Sequence, residues 1–144
     1  MSRNANIAAT RHVRDACLCL HTQRAARMLS RKFDDAFRPL DLTSGQFSLL
    51  NALNRNEPAG MSDVAALLGM DRTTLTAALK PLERNGFVES SRDPSDRRRR
   101  KLALTRAGRK VLASAMPVWR RVHREVEKGL GDAGRLRSDL RALH

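Results

Sequence analysis

Tyrosine is absent from the 144 residues, tryptophan occurs once, and aromatic side chains make up only 3% of the chain. A core with so few rings has to be assembled from Leu, Ala, Val and Met, which favours packed helices over a β-sandwich. Cysteine is nearly absent too. Cys17 and Cys19 are too few for a disulfide framework. Two residues apart on one helix, they would point about 200° away from each other and could not bridge. A reducing, cytoplasmic compartment is the expectation. No run approaches the ~20 apolar residues of a membrane span, and the opening MSRNANIAATRH has no apolar h-region, so a soluble, unexported protein is expected. The four histidines, His12, His21, His123 and His144, form no cluster with a serine or carboxylate at nucleophilic spacing, and no glycine-rich phosphate loop or zinc-finger spacing occurs. Cys17 and His21 share a helical face at i, i+4, but two ligands do not make a metal site. No enzyme, metal or cofactor is expected.

Positive charge, by contrast, is in excess: 28 Lys and Arg against 15 Asp and Glu give a formal net charge of +13. A field of that sign gathers a polyanion, either nucleic acid or anionic lipid. Peripheral membrane binding needs a helix that exposes apolar and cationic faces together. Here the densest basic run, Arg97-Arg98-Arg99-Arg100-Lys101, directly follows a turn-forming stretch, Asp93-Pro94-Ser95-Asp96. The expectation is therefore nucleic acid and no membrane.

Residues 10–38 contain no Gly or Pro and stop at Pro39, with Leu29, Phe33, Ala36, Phe37 and Leu40 recurring at three- and four-residue steps. That spacing predicts one long amphipathic helix. A second stripe, Val13, Cys17 and Leu20, lies at a different angle, so this end is expected to pack on a second copy. Thr43 or Ser44 can cap a helix through Phe47, Leu50 and Leu53, which the polar stretch 54–60 breaks. Ser62 then caps a short helix, 63–68, that stops at Gly69. Asp71 caps the next, with Leu75, Ala78, Leu79 and Leu82 on one face and Asn85-Gly86 at its end. Two helices around a glycine turn make a helix-turn-helix.

Stretches 87–91 and 100–104 read as a β-hairpin around the Asp-Pro-Ser-Asp turn. Thr105 caps a helix from Arg106 to about Lys128, carrying Val111, Leu112, Ala115, Val118, Trp119, Val122 and Val126, with a kink expected at Pro117. Gly129 and Gly131 end it, and 132–143 form a last helix. The fold class is mainly α with a small β-hairpin wing: an N-terminal arm (1–40), a winged helix-turn-helix lobe (41–105) and C-terminal helices (106–144). The stripes of the two arms have too little neighbouring sequence to bury them, so Val13, Cys17 and Leu20 together with Val122, Val126, Leu136 and Leu140 are expected to form a homodimer interface.

The segment MDRTTLTAALKPLERNGFVE (70–89) and the wing pattern Asp93-Pro-Ser-Asp96-Arg97-Arg98 leading to Leu102-Ala-Leu104-Thr105-Arg-Ala-Gly108 resemble the MarR family of winged-helix transcriptional regulators. The order of elements matches over nearly the whole chain. The resemblance implies a homodimeric repressor that leaves a roughly palindromic double-stranded DNA operator when a small molecule binds. It places that effector between the dimer helices and the DNA-binding lobe, among the first helix, the helix from Thr43 and the helix around Pro117.

By the same resemblance Arg98 enters the minor groove and Asp96 orients it, consistent with the negative potential of a narrow groove and the weakly held hydration of a guanidinium. Arg97, Arg99, Arg100 and Lys101 are then phosphate partners, which position without specifying. Ser62, Arg72, Thr73, Thr74, Thr76 and Lys80 sit near the end of the helix-turn-helix that enters the major groove, with capping the competing role for the threonines. Cys19 falls where the peroxide-sensing OhrR-type branch places its reactive cysteine. The tyrosines that hold that thiolate are missing here, and Cys19 is expected well inside a long helix, away from its N-terminus, so no redox role is expected. An RNA-binding winged helix is the remaining alternative.

Overall fold

The computed structural model describes residues 6–144; the first five residues of the expected 1–40 segment lie outside the described residues. Helix α1 (Ile7–Ala16) starts where the Asn6 side chain accepts the Ala9 N–H at 2.7 Å. At Cys17 the backbone turns extended (ψ 112°), and α2 (Leu18–Phe37) begins anew. The single helix expected over 10–38 is thus two. No Gly or Pro stands at 16–18, so the break has no sequence signature. It also divides the stripe of Val13, Cys17 and Leu20, of which Val13 is left 57% exposed.

A 3-10 turn at Arg38–Leu40 and left-handed Asp41 (φ 54°) lead into α3 (Ser44–Leu53). Thr43 caps α3 through a reciprocal capping box with Gln46. The Asp34 carboxylate accepts the Ser44 N–H at 2.6 Å and fastens α3 to α2. Helix α4 (Met61–Leu68) is capped by Gly60 without a side-chain bond, so Ser62, expected as the cap, is its second residue. Gly69 (φ 66°) turns the chain, and Asp71 caps α5 (Arg72–Arg84) by accepting the Thr74 N–H at 2.7 Å.

Strands β2 (Val88–Arg92) and β3 (Arg100–Leu104) pair antiparallel, with Val88 opposite Leu104 and Arg92 opposite Arg100. A two-residue strand the sequence did not announce, β1 (Ala59–Gly60), pairs with the other edge of β3, giving the order β1-β3-β2. Thr105 caps α6 (Arg106–Lys128), which is helical throughout and includes Pro117; Asp132 caps α7 (Ala133–Arg141).

The helix-turn-helix is built on one apolar core. Phe37, Leu49, Leu50, Val64, Leu75, Leu79, Leu82 and Leu102 are fully buried, and among the described residues no charged or polar side chain is. Each such side chain contributes about 1.5–3 kcal/mol. Rings continue the core upward: Phe37 stacks on Phe47 (4.7 Å), Phe47 on Trp119 (6.4 Å) and Trp119 on His123 (4.6 Å). Val122 is only 9% exposed in the single chain. Of the residues expected at the dimer interface, Val122 is thus largely covered within the protomer itself.

Candidate nucleic-acid interface

At the N-terminal end of α5, Arg72, Thr73 and Thr74 are exposed, as are Lys80 on the same helix and Ser62 on α4. The threonines divide by their hydroxyls. Thr76 Oγ1 donates to the Arg72 carbonyl at 2.8 Å, and both the N–H and the hydroxyl of Thr74 bond Asp71, holding that carboxyl below its usual range. Thr73 alone of the three has a hydroxyl that makes no side-chain bond among the described residues, so local bonding accounts for Thr74 and Thr76 but not for Thr73.

Alternation along the hairpin decides which wing residues look inward. Val88, Ser90 and Arg92 share one face of β2, and Leu104, Leu102 and Arg100 the matching face of β3. Near α6 this face is core; toward the tip it carries Ser90, Arg92 and Arg100. The tip is braced by its own bonds. Asp93 accepts from both the N–H (3.0 Å) and the hydroxyl (2.8 Å) of Ser95, and these, with Lys101 and Arg99 nearby, hold its carboxyl below the usual range. Arg92 Nη1 donates to the Arg97 carbonyl at 3.2 Å.

Asp96 accepts the backbone N–H of Arg98 at 3.0 Å, while its other oxygen lies 3.6 Å from Arg99 Nε. It therefore holds the main chain at Arg98 and leaves the Arg98 guanidinium projecting. The five cations do not act alike. Arg97, Arg98 and Arg99 are exposed, whereas Arg100 and Lys101 are partly buried, and Arg100 Nη2 donates to Glu83 (3.0 Å) and Ser90 (2.9 Å). Arg100, expected as a phosphate partner, thus has one guanidinium nitrogen engaged within the chain. A groove of about 410 Å³ between α4, α5 and the wing collects Ser62, Arg72, Arg98, Arg99, Arg100 and Lys101; Thr73, Thr74, Thr76, Lys80, Asp96 and Arg97 do not line it. Glu83, Ser90 and Arg92 carry this arrangement without having been singled out in the sequence, because the partner of Glu83 and Ser90, Arg100, lies 17 and 10 residues away and Arg92 meets Arg97 only once the tip has turned.

On the arms, Leu136 and Leu140 are each 41% exposed, and Val126 lines a groove with Met28 and Leu29 between α2 and α6. Cys17 is the N-cap of α2 and Cys19 its second residue, exposed. One of the two premises set against a thiol role is therefore overturned, since Cys19 stands in the first turn of a helix rather than deep inside one; the other, the absence of tyrosine, stands. His21 Nδ1 meets the Cys17 carbonyl at 2.8 Å rather than its thiol, and no group of three or more metal-ligating residues occurs among the described residues.

A cavity of about 350 Å³ opens between α3, α4 and α6, lined by Phe47, Ser48, Asn51, Ala52, Leu67, Leu68, Met116 and Trp119. Helices α3 and α6 are two of the three expected around an effector; the first helix does not line this cavity. No helix among the described residues is long and apolar enough to cross a membrane.

The MarR family model matches residues 42–99, the lobe described above. The chain is similar to the Mycobacterium tuberculosis transcriptional regulator MosR in complex with DNA (TM-score 0.82, 41% identity, 88% of this chain and 92% of that one). It is also similar to the transcriptional repressor CouR bound to a 23-mer DNA duplex (0.78, 32%, 91% and 94%). CouR from Rhodococcus jostii RHA1 bound to p-coumaroyl-CoA matches at 0.76 and 25%, over 90% and 92%. The HTH-type transcriptional regulator YybA of Bacillus subtilis (strain 168) is 34% identical over 92 residues, which span 61% of each chain, so the chain matches about three fifths of that relative's length.

Proposed function

The chain belongs to the MarR family, and on that premise we propose that it is a homodimeric repressor that binds a roughly palindromic double-stranded DNA operator and leaves it when a small molecule binds. The observation that carries this reading is the convergence of Arg72, Ser62 and the Arg98–Lys101 run on one groove between recognition helix and wing. A helix for the major groove beside a cationic hairpin for the flanking minor groove reads duplex DNA. The exposed Leu136, Leu140 and Val13, with half-buried Val126, support a second copy across the arms. The regulator works in the cytoplasm and has no catalytic role.

The effector site is the cavity under Trp119. Its walls are apolar with Ser48 and Asn51 at the edge, and its volume is at the small end of ligand pockets, which suits a largely apolar molecule with one or two polar groups. Occupancy would wedge α3 and α4 of the lobe away from α6 and so alter the spacing of the two recognition helices. Competition in a gel shift tests the polymer: duplex DNA should displace bound DNA, and an RNA duplex displacing it equally would point to the RNA-binding alternative.

A thiol trigger through Cys19 is the second reading, favoured by the helix break at Cys17, which leaves Cys19 exposed in the first turn of α2. Release of wild type but not of Cys19→Ser from DNA by hydroperoxide would establish it. Equal retention of both would dismiss it.

A further inference from the structure

The last rung of the wing ladder sets two arginines, Arg92 and Arg100, directly opposite each other. Like charges in that position destabilise a hairpin, and the sequence adds Arg97, Arg98, Arg99 and Lys101 beside them. The structure resolves the conflict by giving each arginine of the rung its own acceptor. Arg92 turns to the Arg97 carbonyl. At Arg100 one nitrogen, Nη2, donates both to Glu83 Oε1 on the recognition helix (3.0 Å) and to Ser90 Oγ on β2 (2.9 Å).

Side-chain exposures of 40% for Arg100 and 32% for Glu83 make this the least exposed Arg–carboxylate pair among the described residues. It joins two elements that both face the groove: α5, of which Glu83 is the penultimate residue, and β3, of which Arg100 is the first. Residues 93–99 of the tip extend beyond this rung.

We propose that Glu83, Arg100 and Ser90 form a clasp that sets the angle of the wing against the recognition helix, so that Glu83 and Arg100 are positioning residues for DNA binding rather than contacts to it. The proposal rests on the DNA-binding reading above. Physically, β1 holds the edge of β3 only as far as Lys101, so the ribbon beyond it, from the Arg92–Arg100 rung to the tip, would be free to swing. An ion pair one rung below the tip stops the swing, and Arg98 is then presented at a fixed distance from Arg72 and Thr73. The clasp also explains why an acidic residue stands on the recognition helix of a protein that binds a polyanion. Glu83 pairs with a partly buried cation of the run, at the junction of helix and wing.

The sign of one substitution separates a clasp from a phosphate contact. If Arg100 met phosphate, Glu83→Gln would remove a nearby negative charge and tighten binding to any duplex, while Arg100→Gln would weaken binding and lower the salt slope by about one phosphate. If the two form a clasp, both substitutions, opposite in charge, weaken binding to the preferred sequence. The experiment measures affinity of the full chain for a duplex it has itself selected from a random pool and for an unselected duplex.

The expected result is a loss of about three- to fivefold on the selected duplex for Glu83→Gln and for Arg100→Gln alike, the scale of a half-exposed ion pair. The double variant should be no weaker than the weaker single, and melting temperatures should stay together. Tighter binding by Glu83→Gln, or losses that simply add in the double variant, would overturn the clasp. If wild type selects no duplex at all, the DNA-binding reading fails first, and the clasp with it.

Discussion

Gly108→Ala should destabilise the protein although it places a better helix former in the first turn of α6. A Cβ built at Gly108 would lie 2.1 Å from the carbonyl oxygen of Phe87 and 3.0 Å from its carbonyl carbon. Neither atom can yield freely, because that oxygen accepts the Thr105 N–H at 3.0 Å and the Thr105 hydroxyl donates to the neighbouring Gly86 carbonyl. Relief therefore means moving α6 away from the strand entry by more than 1 Å, since ordinary contact begins at 3.4 Å. Such overpacking costs about 1–3 kcal/mol, and the two Thr105 bonds put at risk are worth about 1 kcal/mol each. Replacing a helical glycine returns about 1 kcal/mol, leaving a net loss of about 2 kcal/mol. Urea denaturation at fixed protein concentration should show the midpoint falling with the slope unchanged. An alanine variant as stable as wild type would refute the argument and mean that the wing and α6 are not held in this close approach.

Three further outcomes are expected. Arg98→Ala should weaken binding to the selected duplex by about 1–3 kcal/mol and relax its preference at one A·T-rich position, while Arg99→Ala should chiefly reduce the salt slope by about one phosphate; titrations at several salt concentrations distinguish them. Asp71 is held below its usual range by the N–H and hydroxyl of Thr74, so its stabilisation of α5 is complete at neutral pH and is lost as pH falls below about 4 through the depressed value. Asp71→Asn should flatten that acid limb in pH-dependent melting curves. Ser48→Phe, at the rim of the cavity under Trp119, should abolish the change in tryptophan fluorescence on effector binding while operator affinity is kept; since Trp119 is the one tryptophan, the signal reports that cavity directly.

Much of this was legible because the sequence punctuates itself. Asp71, Gly69 and Asn85-Gly86 delimit the recognition helix, and alternation from Arg100 to Leu104 ahead of capping Thr105 placed β3 and the start of α6 where they are found. What escaped had no local cause. The break at Cys17 falls in a stretch without a helix breaker, and the two residues of β1 are a strand only because β3 lies beside them. Val122 shows that an apolar stripe does not reveal whether its own chain or a partner covers it. The Glu83–Arg100 pair spans 17 residues, and only the folded wing brings it together; in the sequence Arg100 is indistinguishable from the arginines around it.

Selection of bound duplexes from a random-sequence pool by the full-length chain tests the central claim most directly. The account predicts an enriched inverted repeat whose half-sites lie about 10 base pairs apart, centre to centre, each read by one recognition helix with its wing in the flanking minor groove. Recovery of a single unpaired half-site, or of no preferred sequence at all, would contradict it.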